Sequence, residues 1–172
     1  MVHGRPLQSG HQPLYTAEER RRRDASPWTL VQGILAPLQF VVFLVSLYLV
    51  VRYLLTGEGL AAATLSVVIK TLVLYTIMVT GSLWEKDVFG RYLFARAFFW
   101  EDVVSMLVLA LHTAYIAAVL VGVMESRHLM WLALAAYAAY VINATQFVLK
   151  LRAARLQSAT VPAQSGALGF SE

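Results

Sequence analysis

Four apolar stretches, each long enough to cross a lipid bilayer, leave this chain few ways to fold. They run over about residues 28–55, 60–83, 98–123 and 129–149. Each reaches the roughly 20 residues a helix needs to traverse the hydrocarbon core. Hydrocarbon offers no hydrogen-bond partners, and a helix is the structure that satisfies its backbone within a single segment. The links "TGEG" and "ESRH", between the first and second and the third and fourth stretches, are short enough to force antiparallel neighbours. The expected fold is therefore an all-α membrane protein, with four transmembrane helices in an antiparallel bundle over residues 27–155. Residues 1–26 read as a polar, Arg-rich arm in solvent, and 156–172 as a small-residue, disordered tail. Asp24 or Ser26 is placed to cap the first span, with Pro27 in its first turn.

Charged residues make up 14% of the 172, against about 25% in a soluble domain, and most lie outside the spans. Cysteine is absent, which excludes disulfides, thiolate metal sites and cysteine nucleophiles. Lys and Arg number five in the arm, three between spans two and three and three after span four, against one in each other connection. Such an excess marks the cytoplasmic side, so both termini and the central connection are expected there. The net charge of +4 then records orientation rather than affinity for nucleic acid. The Arg20–Arg23 run anchors that orientation or meets anionic lipid.

Several polar residues fall inside the spans. Gln32, Gln39 and Ser46 recur every seven residues beside Pro37, and Tyr140, Asn143, Gln146 and Lys150 lie on one side of span four. Interhelical hydrogen bonding is the plain account of such stripes. Lys70 and His112 are harder to place, because an ionisable group near the bilayer midplane is costly unless paired, hydrated or neutral. They belong either to the bundle's hydrogen-bonding interior or to a site. At about 100° per residue, Glu101, Ser105, His112 and Tyr115 share one face, while Asp102 points about 100° from Glu101. Glu101 and His112 are about 16 Å apart along the axis, too far for a dyad but suited to opposite ends of one large flat ligand.

The segment "WEKDVFGRYLFARAFFWED" (Trp84–Asp102) carries four acids, three bases and seven aromatics. Its aromatics, Trp84 and Trp100 among them, suit an interfacial belt. Glu85, Asp87, Glu101 and Asp102 are candidate acids and bases. Lys86, Arg91 and Arg96 are candidate carboxylate partners. Gly90 permits a turn that folds the segment back over the mouth of the bundle. The plain alternative is an amphipathic connector with its charges in water.

This segment, together with "DASPWTLVQG" (Asp24–Gly33) and "VVSMLVLALHTAY" (Val103–Tyr115), resembles the 2-vinyl bacteriochlorophyllide hydratases of bacteriochlorophyll biosynthesis, over roughly residues 14–155. The resemblance implies that water adds across the C3-vinyl group of a chlorophyllide-type macrocycle, giving a 3-(1-hydroxyethyl) product. It implies no cofactor beyond the magnesium that the substrate carries, and a bacterial inner membrane, cytoplasmic or intracytoplasmic photosynthetic. For that chemistry Glu101 and Asp102, with Glu85 in reserve, are the candidate acid and base. His112 is a candidate axial ligand to the substrate's magnesium or a partner of a ring carbonyl. Arg91 or Lys86 would meet the propionate, Lys70, Gln39 and Asn143 would supply polar contacts, and Trp84 and Trp100 would stack on the ring. Expected partners are the chlorophyllide-type substrate and the bilayer, with neighbouring pigment-biosynthesis enzymes and self-association left open and nucleic acid not expected. Two other classes fit the residues: a non-catalytic pigment-binding or assembly subunit, and a small transporter using Lys70.

Overall fold

The computed structural model describes residues 14–159, without the side chains of 157–159. Five helices follow in order: α1 (Ala17–Ala25), α2 (Pro27–Thr56), α3 (Leu60–Phe89), α4 (Phe99–Val121) and α5 (Ser126–Ala159). No strand occurs among the described residues. The last four helices are long and apolar enough to cross a membrane. α2 lies along α3 and α4 along α5, and the two hairpins meet where α2 touches α5 and α3 touches α4. α2 runs through Pro37 as one helix.

The distribution of side chains is that of a bundle in lipid. Large aliphatics such as Leu30, Ile34, Val41 and Leu120 face outward, while Ala63, Ala133 and Ala136 are buried beside Phe43, Tyr115 and Tyr137. Lipid tails are as apolar as leucine, so helices gain little by hiding leucine from them; small residues let backbones approach, and polar side chains bond across. Gln32 Nε2 donates to Thr80 Oγ1 at 2.7 Å, joining α2 to α3. Ser46 shares hydrogen bonds with Ser66 and with Tyr137, joining α2 to α3 and α5.

The N-terminal segment departs from the solvated arm expected of it. Residues 1–13 lie outside the described residues, but 14–26 are folded. Thr16 and Glu19 form a capping box, in which the Thr16 N–H donates to Glu19 Oε2 at 2.7 Å and the Glu19 N–H to Thr16 Oγ1 at 3.2 Å. Tyr15 is buried, stacked on Phe89 with centroids 5.8 Å apart and covered by the Arg23 guanidinium at 4.9 Å. Burial pushes its phenol up to about 12, against the opposing pull of Arg23. Ser26 precedes α2 with Pro27 in the first turn, but its hydroxyl does not cap the helix. It donates instead to Asp87 Oδ2 at 2.7 Å, tying the α1–α2 junction to the end of α3. At the other end the helix passes the expected tail boundary at 156 and reaches Ala159, because Lys150–Ala159 contains neither Gly nor Pro. Residues 160–172 of that tail lie outside the described residues.

Gly90 ends α3 with φ +79°, and an added Cβ would meet no atom within 4 Å, so the demand there is conformational rather than steric. Gly33 has equal space but ordinary helical geometry. Gly90→Ala should therefore destabilise the protein by about 1–2 kcal/mol. Gly33→Ala should be neutral or stabilise by up to about 1 kcal/mol. Thermal unfolding in detergent micelles, followed by circular dichroism, checks the opposite signs.

Candidate active site

The central segment is less of a loop than its composition suggests. α3 continues through Trp84–Phe89, residues 90–98 fold back, and α4 starts at Phe99. The fold-back leaves backbone groups without helical partners, and two carboxylates take them. Asp102 Oδ2 accepts the Phe94 N–H at 2.7 Å and Glu85 Oε2 accepts the Ala95 N–H at 3.2 Å. Phe94 is held at φ +58°, a left-handed conformation that costs a bulky residue about 1–3 kcal/mol. The bond to Asp102 helps sustain it. Lys86 Nζ donates to the Gly90 carbonyl at 3.2 Å and Arg91 Nη1 to that of Phe94 at 3.4 Å. These two exposed cations thus brace their own connector.

Beneath the fold-back, Glu85 of α3 and Asp102 of α4 are both buried, each accepting from an adjacent residue of the connector. Glu101 points the other way, as helical phase requires, and accepts from Lys150 Nζ of α5 at 2.5 Å. Lys150 Nζ also lies 5.1 Å from the Phe98 ring centroid. One turn further along α4, Ser105 Oγ accepts from Asn143 Nδ2 at 2.8 Å. The acids of the segment therefore separate into a buried Glu85–Asp102 pair, a Glu101–Lys150 ion pair beside it, and Asp87 on Ser26.

The two tryptophans part company. Trp84 donates from Nε1 to Thr29 Oγ1 at 3.0 Å and packs edge-on against Phe89 and Phe98, so it wedges α2 against α3. Trp100 is 69% exposed. It stands edge-on to Phe99, which leans on Phe94, and the three rings form an open ledge outside the carboxylates.

Deeper in the bundle, Lys70 of α3, His112 of α4 and Gln39 of α2 are all buried. Lys70 Nζ lies 4.1 Å from the Tyr140 ring centroid and 5.4 Å from that of Tyr137, and the His112 ring is 5.9 Å from Tyr137. Gln39 is one turn from Phe43, whose ring packs on both tyrosines. His112 uses Nδ1 on the Val108 carbonyl at 2.8 Å, leaving Nε2 for another partner. Among the described residues, no hydrogen-bond partner meets Lys70 Nζ, His112 Nε2, either Gln39 amide atom or Asn143 Oδ1.

Of the residues singled out in the sequence, the structure brings Glu85 to Asp102 and Lys70 to the neighbourhood of His112. It keeps Glu101 apart from Asp102 and leaves Lys86 and Arg91 on the outer surface. Lys150 was missed as a site residue, although its spacing from Asn143 and Gln146 places it on their stripe.

Fold and site together define a polytopic, all-helical membrane protein with buried acid–base groups under the connector at one end of its bundle. The protein-family model described as 2-vinyl bacteriochlorophyllide hydratase (BCHF) matches residues 15–153. A 2-vinyl bacteriochlorophyllide hydratase of Rhodobacter capsulatus is 66% identical over 155 residues, covering 90% of each chain. One of Cereibacter sphaeroides is 67% identical over 146 residues, covering 85% of this chain and 91% of the relative. No solved structure matches the chain. The chain belongs to the 2-vinyl bacteriochlorophyllide hydratase family.

Removing one member of the Glu101–Lys150 pair strands the other in a largely buried position. Lys150→Met should lower stability by about 2–3 kcal/mol. The double variant Glu101→Gln with Lys150→Met should recover most of that loss. A double-mutant cycle of thermal unfolding measures the coupling.

Proposed function

We propose that this protein hydrates the C3-vinyl group of a chlorophyllide-type macrocycle to a 3-(1-hydroxyethyl) group, a hydro-lyase step of bacteriochlorophyll biosynthesis. The observation that carries the reading is the family match across residues 15–153, which spans every site residue described above.

The vinyl group is conjugated to the macrocycle. Protonation of its terminal carbon leaves a cation at the inner carbon, delocalised into the ring, and so fixes where water adds. Water attacks the inner carbon and then loses a proton, so the sum is addition of one water molecule. The step needs one proton donor and one acceptor, each worth about 10²–10⁴ in rate. The Glu85–Asp102 pair is the donor, which raises Glu85 from reserve to full partner. Glu101, paired with Lys150, is the acceptor. Trp100 and Phe99 receive the flat ring at the mouth. His112 presents Nε2, its tautomer fixed through Nδ1, as axial ligand to the substrate's magnesium. Asn143 Oδ1 faces the same interior, and Lys86 or Arg91 meets the propionate outside. Hydration transfers no electrons, so no redox cofactor is required. Pigment-biosynthesis enzymes next to it in the membrane supply the vinyl substrate and take the alcohol.

The Lys and Arg asymmetry supports an orientation with the termini and the 90–98 connector on the cytoplasmic face of a bacterial inner membrane. Because the chain has no cysteine, single cysteines report topology directly. In intact cells a membrane-impermeant thiol reagent should label Glu58→Cys and spare Arg91→Cys. The reverse pattern overturns the orientation.

Activity has a direct test. The purified protein incubated with 3-vinyl chlorophyllide should yield a product heavier by one water, and isotopically labelled water should leave its oxygen in the new hydroxyl. Asp102→Asn and Glu85→Gln should each reduce kcat by about 10²-fold or more. Pigment that binds and is recovered unchanged would instead identify a pigment-binding subunit.

A further inference from the structure

Interhelical hydrogen bonding accounts for Gln32, Ser46 and Ser105, but not for the polar groups at the bundle centre. Lys70, Gln39 and His112 are 0%, 2% and 0% exposed. Lys70 Nζ and both amide atoms of Gln39 have no hydrogen-bond partner among the described residues. Burying such groups unmet, at membrane depth, is strongly unfavourable. They come from different helices, α3 and α2, and border the seam where the two hairpins meet. A seam between hairpins can open without undoing either hairpin's own turn.

The chemistry of the seam specifies a guest. Lys70 offers donors, and Gln39 offers its two amide N–H donors beside its acceptor oxygen. The surrounding walls are the rings of Phe43, Tyr137 and Tyr140. Such a place fits an oxygen acceptor carried on a flat aromatic body. Along α4, His112, at the level of Lys70, lies about 15 Å from Asp102. In a chlorophyllide the vinyl group and the ketone of the fused five-membered carbocycle stand at opposite ends of the long axis of the macrocycle.

We propose that Lys70 and Gln39 form the deep end of the substrate site and donate hydrogen bonds to the ring ketone while the vinyl group lies against Glu85 and Asp102. The proposal rests on the hydratase reading for the identity of the pigment. Both residues are positioning residues: they set the depth of the ring and do not touch the reacting carbons.

Resonance Raman spectra of the pigment bound to the full-length protein test this. The ketone stretch should fall below its position in a solvent that cannot donate hydrogen bonds, and Lys70→Met should move it back. Lys70→Met should also raise KM about tenfold, with a smaller effect on kcat. A wild-type complex with the ketone band at its free position overturns the proposal, as does a shifted band that neither Lys70→Met nor Gln39→Leu alters. If both variants fail to fold, the wild-type protein still decides. An analogue with the ketone reduced to methylene should bind about tenfold more weakly than the parent, and equal binding overturns the proposal. Bound pigment that shows the shifted band but gains no water refutes the hydratase reading alone. A hydrated product formed from pigment with a free ketone band refutes this proposal alone.

Discussion

A lipid interior supplies neither donors nor acceptors, so a polar group within the spans depends on partners inside the bundle. Four long helices meet that demand for most of the backbone. Gln32 with Thr80, and Ser46 with Tyr137, meet it for side chains along the helix seams. The demand is sharpest at the fold-back between α3 and α4, whose backbone has left helical geometry. There Glu85 and Asp102 take the Ala95 and Phe94 N–H groups. The carboxylates that close the bundle's end are thus fixed by the backbone they support.

That arrangement gives the proposed acid an unusual rigidity. Glu85 and Asp102 project from different helices, yet each is pinned to an adjacent residue of one short connector. The left-handed Phe94 stores strain that only a well-determined surrounding can hold. Two carboxyl groups pinned in this way stay at a fixed place relative to the Trp100 ledge outside and the Ser105–Asn143 bond below. Preorganisation of this kind is what proton transfer to carbon requires, because the donor cannot wait for a loop to find its geometry.

How much of this could be read from the chain depends on the range of the interaction. The spans were legible because hydropathy is summed over many residues. The divergence of Glu101 from Asp102 was legible because it follows from 100° per residue. The meeting of Glu85 with Asp102 was not, since it depends on how residues 90–98 turn back, and no periodicity encodes a fold-back. Lys150 was legible as part of the span-four stripe with Asn143 and Gln146, but its pairing with Glu101 was not, because that depends on how α5 sits against α4. The "TAEE" capping box at Thr16 was in plain view, but the arginines after it suggested a solvated arm and hid the burial of Tyr15. Trp84 and Trp100 show the limit of composition: identical side chains in one segment, one hydrogen-bonded into a helix seam and the other open to a ligand.

The interior polar groups divide by whether the protein itself satisfies them. Those that it satisfies, such as Ser46 and Ser105, hold helices together and need no further explanation. Lys70, Gln39 and His112 Nε2 are left unmet among the described residues, beside the aromatic rings where the two hairpins meet. Apolar side chains of similar volume would make a more stable bundle, so these groups are retained against stability. A reaction between water and a greasy macrocycle gives them a use. In the proposed complex the vinyl end lies by the carboxylates under the connector, the body of the ring lies between the hairpins, and the polar far edge of the ring needs partners at a depth where lipid has none.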